Sequence, residues 1–191
     1  MPVGLPELNY LLKGGAMVYS GIIGVGHHYY WFGEPSLWLA LGSTISALEP
    51  VPILLLLSEV WHGQKTLVEG GSAYPYKYPM MFLMASVFWE FLGAGVMGLS
   101  ITTPVVNYYE HATYLTVNHG HTALFGTYGI LAIGLLLFSM RTIVKESGWD
   151  VRLLKIAFLG TNAGLAAMVL FMLKAMMNLK PVTVQPGDSF I

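Results

Sequence analysis

Asn107-Tyr108-Tyr109-Glu110-His111-Ala112-Thr113-Tyr114-Leu115-Thr116-Val117-Asn118-His119-Gly120-His121 leads without a break into an apolar run, Thr122 to Met140. That run is long enough to cross a bilayer as a helix. His119 and His121 stand at its mouth with one glycine between them. On an α-helix each residue turns about 100°, so the two imidazoles point to nearly opposite faces. One helix can then offer a nitrogen to a group on either side, which suits a helix wedged between two haems, each taking an axial histidine. The same spelling also fits two polar histidines at headgroup level, and the rest of the chain has to separate the two readings.

Composition narrows the class. The 191 residues are 55% hydrophobic and 10% charged, with mean hydropathy +0.62. A soluble domain carries roughly 25% charged residues, so depletion on this scale points to a membrane-embedded chain. The net charge of -1 gives no basic surface for nucleic acid. Cysteine is absent, which excludes disulfides, thiolate-ligated zinc and iron–sulfur clusters. A redox metal here has to use His, Glu, Asp, Tyr or Met. The N-terminus, Met1 to Glu7, lacks the basic-then-apolar pattern of a cleaved signal peptide.

Five stretches are apolar enough to span: Gly14–Trp31, Ser36–Trp61, Tyr78–Thr103, Val117–Met140 and Val151–Met177. Glycine, proline and charge gather in the breaks, as at Phe32-Gly33-Glu34-Pro35. The expected fold is therefore all-α, a single polytopic transmembrane helix bundle with about five spanning helices. Lys13, Lys65, Lys77, Arg141, Lys145, Arg152 and Lys155 fall on one side of such a bundle, while the opposite loops hold Glu34 and Glu110 with no Lys or Arg. The basic side is assigned to the cytoplasm; Lys174 and Lys180 dissent. With this topology His27 and His28, at the end of the first span, share the outer leaflet with His119 and His121.

Further features bear on chemistry. Gly24-Val25-Gly26-His27-His28-Tyr29-Tyr30-Trp31 carries paired histidines that an aromatic interface belt does not explain, and both could ligate one metal lying between them. Gly24 and Gly26 allow another backbone or a flat cofactor to approach closely. Glu49 stands in Leu48-Glu49-Pro50-Val51-Pro52, a carboxylate at bilayer depth beside prolines that free nearby carbonyls. A helix ruler sets it roughly 10 Å deeper than His27 and His28, so it reads as a proton donor near a metal rather than a ligand; a protonated Glu bonded to a neighbouring helix is the plainer alternative. Glu90 is a weaker candidate, Glu59 and His62 suit an interface, and Glu110 and His111 fit either a cofactor contact or a solvated loop. The eleven methionines suit packing better than ligation.

Three segments together resemble the catalytic subunit of bacterial nitric oxide reductases, of the haem–copper oxidase superfamily: Gly24 to Trp31, Leu48-Glu49-Pro50, and Asn118-His119-Gly120-His121-Thr122-Ala123-Leu124-Phe125-Gly126-Thr127-Tyr128-Gly129. Val106 to His111 and Asn118 are more similar to the single-chain, quinol-dependent branch than to the cytochrome c-dependent one. Phe158 to Leu165 resembles the next helix of the family, and the likeness runs from about Gly14 to Met168. The resemblance implies a partial haem–copper oxidase-like core in the inner membrane of a bacterium, with the metal site toward the outer face. It implies two b-type haems and one non-haem iron: His27 and His28 as iron ligands, His119 on the active-site haem, His121 on the low-spin haem, and Glu49 assisting proton delivery. It implies nitric oxide as substrate and quinol as electron donor. The family's catalytic chain has many more spans than the five counted here, and the helices giving the remaining ligands would lie before Met1. The expectation is a C-terminal fragment, a truncated product or half of a split protein, completed by its own N-terminal helices or by a partner chain, and inactive alone. The competing functions are an oxygen-reducing oxidase of the same superfamily, a non-catalytic haem-carrying electron-transfer subunit, and a plain structural bundle.

Overall fold

The computed structural model describes residues 22, 25–48, 50–69 and 76–178. Of the expected first span only Ile22 and Val25 to Trp31 are described, and Glu49, Lys13, Lys180 and the tail lie outside the described residues. Among the described residues every regular element is helical. A short 3₁₀ turn, Val25–His28, precedes α1 (Ser36–Ala47) and α2 (Pro50–Glu69). Next come α3 (Lys77–Thr102), a short α4 (Pro104–Glu110), α5 (Tyr114–Met140) and α6 (Val151–Met177). Four segments are long and apolar enough to cross a membrane: Ser36–Leu55, which joins α1 to the start of α2, then α3, α5 and α6. The chain is a multi-pass helical membrane protein.

Local chemistry explains where the helices start. Pro50 opens α2 and Pro104 opens α4, positions where a missing N–H costs no hydrogen bond. The Thr113 hydroxyl accepts the Leu115 N–H at 3.2 Å and caps α5. Asp150 Oδ1 accepts the N–H groups of Arg152 (2.8 Å) and Leu153 (3.1 Å) and caps α6. The stretch after α3, expected as a loop from Pro104 to Thr116, is thus mostly helical, and α5 begins one turn earlier than its apolar pattern because the cap sits at Thr113.

In lipid, apolar burial does little to drive helices together, so close packing and interhelical hydrogen bonds carry the association. The first half of α3 packs along the second half of α5, and the first half of α5 lies against α6. Phe82, Ala85 and Trp89 of α3, Ile130 of α5, and Leu165 and Val169 of α6 form the core. Phe82 meets Phe158 edge-on, ring centroids 5.3 Å apart. Trp89 Nε1 donates to Asn162 Oδ1 at 2.8 Å, tying α3 to α6. The fully buried Asn118 donates from Nδ2 to the Val169 carbonyl at 3.3 Å, tying α5 to α6. Each such bond contributes about 0.6–2 kcal/mol in a membrane.

Two stretches depart from α geometry. Phe91–Met97 in α3 and Leu124–Gly129 in α5 are π-wound, and both carry glycines. Each holds a glycine at a close approach between the two helices. A Cβ on Gly93 would sit 2.5 Å from Ala123 N and 2.7 Å from Thr122 C, and one on Gly126 would sit 2.7 Å from Trp89 Cβ. Only glycine leaves room for that approach.

Candidate metal centre

His119 lies one and a half turns into α5, part-buried against α3. Its Nδ1 is 2.8 Å from the carbonyl oxygen of Gly93, inside the π-wound stretch. A carbonyl can only accept, so Nδ1 carries a proton, and in the neutral imidazole Nε2 is then the nitrogen with the lone pair. A Cβ on Gly98 would lie 3.5 Å from His119 Cε1, so the imidazole spans the α3 surface from position 93 to position 98. A ring fixed through Nδ1 with Nε2 left as a base has the tautomer and the restraint of a metal-ligating histidine.

His121 makes the corresponding bond within its own helix, Nδ1 to the Val117 carbonyl at 2.9 Å, and is exposed. Its Nε2 lone pair is likewise set by the acceptor. His62 in α2 also bonds the carbonyl one turn back, Ser58, at 2.7 Å, so a bond of this kind does not by itself mark a ligand. His119 differs because its carbonyl comes from another helix. The two rings of the His119-Gly120-His121 pair therefore face different surroundings: one the α3 surface, the other the exposed flank of α5.

His27 and His28 fall in the 3₁₀ turn, whose backbone turns by about 120° per residue rather than the about 100° of an α-helix. The turn is packed on α1 through glycine: a Cβ on Gly26 would sit 2.8 Å from the Trp38 carbonyl, and one on Gly42 would sit 2.6 Å from Gly26 Cα. The close approach at Gly26 is thus made by another backbone; Gly24 lies outside the described residues. His28 is exposed, and near enough to His119 for charge on one to be felt at the other. The side chain of His27 lies outside the described ones, as does Glu49. Among the described residues no three His, Asp or Glu side chains gather into a metal site.

Above the histidines, toward the α3–α5 turn, polar contacts bind the 3₁₀ region to α3 and α4. The Tyr30 hydroxyl donates to the Thr102 carbonyl. Trp31 Nε1 donates to Asn107 Oδ1 at 3.0 Å, and Asn107 Nδ2 donates to the Ile101 carbonyl at 2.8 Å. The Trp31 ring lies against His111 and Tyr108, with centroids 4.9 and 5.9 Å away. Glu110 is 3% exposed and accepts from Ser100 Oγ at 2.9 Å. Its carbonyl oxygen takes the hydroxyls of Thr113 (2.6 Å) and Thr116 (2.7 Å). The solvated-loop reading of Glu110 is therefore replaced by a buried carboxylate that ends α4, whereas His111 is exposed. Glu90 is half-buried in α3.

The sequence reading missed the Gly93 carbonyl as the partner of His119. Its signal was available in Phe91-Leu92-Gly93-Ala94-Gly95-Val96-Met97-Gly98, where three glycines in one apolar span announce a close backbone approach.

The fold is a multi-pass helical bundle in which one imidazole, that of His119, is fixed through Nδ1 by a neighbouring helix. Residues 10–181 match the family described as Cytochrome C and Quinol oxidase polypeptide I, and the chain belongs to that family. It is similar to a nitric oxide reductase subunit of Stutzerimonas stutzeri, 36% identical over 131 residues that cover 69% of this chain and 27% of that protein. The chain thus matches about a quarter of the length of that curated relative.

Proposed function

We propose that this chain is part of a bacterial inner-membrane nitric oxide reductase, with its metal site toward the outer face. The reaction joins two nitric oxide molecules, with two electrons and two protons, into one nitrous oxide and one water. Quinol is the electron donor. The observation that carries the reading is the His119–Gly93 bond at 2.8 Å, taken with the likeness to the reductase chain.

In this reading His119 holds the active-site haem and His121 the low-spin haem. His27 and His28 are two ligands of a non-haem iron. Two b-type haems and one iron, when bound, supply electron transfer and a place for two substrate molecules to meet. The donor set suits them: a neutral imidazole with a free Nε2 is the ligand both groups take. The third histidine and the carboxylate expected on the iron would come from the remainder of the protein or from a partner chain.

The chain's own residues do the rest. Gly93 restrains rotation of the His119 ring and, by accepting its proton in a hydrogen bond, raises the basicity of Nε2. The Gly26–Gly42 contact holds the His27–His28 turn against α1. Glu49 delivers protons: a carboxylate at bilayer depth is costly to retain without such a role. Holding both substrates side by side converts an encounter into a local step, and the entropy lost in bringing them together is met at binding.

Nitric oxide consumption by the purified intact protein tests this directly. Reduced quinol should support consumption, with nitrous oxide appearing at one molecule per two nitric oxide consumed. Oxygen uptake without nitric oxide uptake would assign the chain to the oxygen-reducing branch. Bound haem with neither activity would assign it to electron transfer.

A further inference from the structure

The turn joining α5 to α6 lies at the other end of α5 from the histidine turn and has no part in the chemistry above. A cavity of about 310 Å³ opens there, between the end of α5 and the start of α6. It is an open groove whose walls, Leu137, Met140, Val144, Trp149, Leu154 and Ala157 among others, are mostly apolar. Trp149 is fixed on one side by a hydrogen bond from Nε1 to the Val144 carbonyl at 3.3 Å, and on the other by the Arg141 guanidinium, 5.3 Å from the ring centroid. The one carboxylate in the lining, Asp150, is engaged as the cap of α6.

Two features say what fills this cavity. Its depth is fixed by the ends of two spans, Met140 and Val151, so it opens at the boundary between acyl chains and headgroups. Ile143 is 81% exposed and Leu153 62%, which adds an apolar collar at the same level. Its surroundings are also basic. In this stretch of sequence the four cations Arg141, Lys145, Arg152 and Lys155 outnumber the two acidic residues Glu146 and Asp150, and Lys145, Arg152 and Lys155 are exposed. An apolar slot of ligand size under a cationic rim complements an acyl chain with a negative headgroup.

We infer that the cavity is a binding site for one anionic phospholipid, with part of an acyl chain against Trp149 and Leu154 and the phosphate among Arg141, Lys145 and the first turns of α6. The site stands on the cavity and its charges alone and does not depend on the proposed reaction.

The test uses the full chain in nanodiscs of equimolar phosphatidylglycerol and phosphatidylcholine, with retained lipid read by native mass spectrometry. Wild type should retain phosphatidylglycerol in preference to phosphatidylcholine. Lys145→Gln, on an exposed side chain, should lower that preference about fivefold. Ala157→Phe, which fills the cavity and leaves every charge in place, should abolish tight retention while helix content by circular dichroism is unchanged. Equal retention of the two lipids by wild type would overturn the site, as would a Lys145→Gln preference equal to wild type. Should Ala157→Phe fail to fold, those two measurements decide.

Discussion

Ala112 has φ +60°, the only positive φ at a non-glycine residue among the described ones. It is the hinge between α4 and α5, held by the hydroxyls that Thr113 and Thr116 donate to the Glu110 carbonyl. A Cβ in the left-handed region costs about 1–2 kcal/mol. Ala112→Gly should therefore stabilise the chain by up to about 1 kcal/mol, seen as a higher unfolding midpoint in mild detergent. An unchanged or lower midpoint would mean that the surrounding contacts, and not the backbone, set this turn. The other singular residue is Gly93. It performs two tasks at once, admitting the backbone of α5 and lending its carbonyl to His119.

The helices as units show which parts of the fold could be read in advance. Long apolar runs with prolines and caps between them gave α3, α5 and α6 within a few residues, because bilayer thickness imposes one length on every span. The π-wound stretches were not legible. They arise where two glycine-bearing helices meet, and which helices meet is not written in either one. Glu110 was left open between a cofactor contact and a solvated loop for a related reason: a carboxylate between two spans resembles loop chemistry until Ser100, ten residues earlier in the chain, is known to donate to it. The site was half-legible. The spacing of His119 and His121 announced two directions on one helix, but the carbonyl that fixes the first ring lies 26 residues away. Gly93→Ala measures that coupling. The new methyl meets backbone atoms that cannot swing aside, so the α3–α5 crossing should loosen at a cost of about 1–3 kcal/mol. Because the Gly93 carbonyl moves with it, the spectrum of the haem proposed for His119 should change as well. Loss of stability with that spectrum intact would detach the carbonyl from the ligand.

For the whole molecule, four long helices leave much of their surface uncovered, most of all α6, of whose most apolar window 11% is buried. A chain that matches 27% of its curated relative has room for neighbours on those faces. Orientation can be tested by introduced cysteines, since these 191 residues contain none. An impermeant maleimide should label Tyr109→Cys in intact cells and Lys145→Cys only after permeabilisation; the reverse pattern would turn the proposed metal site to the cytoplasm. The central claim is that one helix serves two haems through histidines two residues apart. Optical and paramagnetic resonance spectra of His119→Ala and His121→Ala, in the intact protein that carries this chain, measure it most directly. The account predicts that the first removes only the high-spin haem signal and the second only the low-spin one. Both substitutions removing the same signal, or neither removing any, would contradict it.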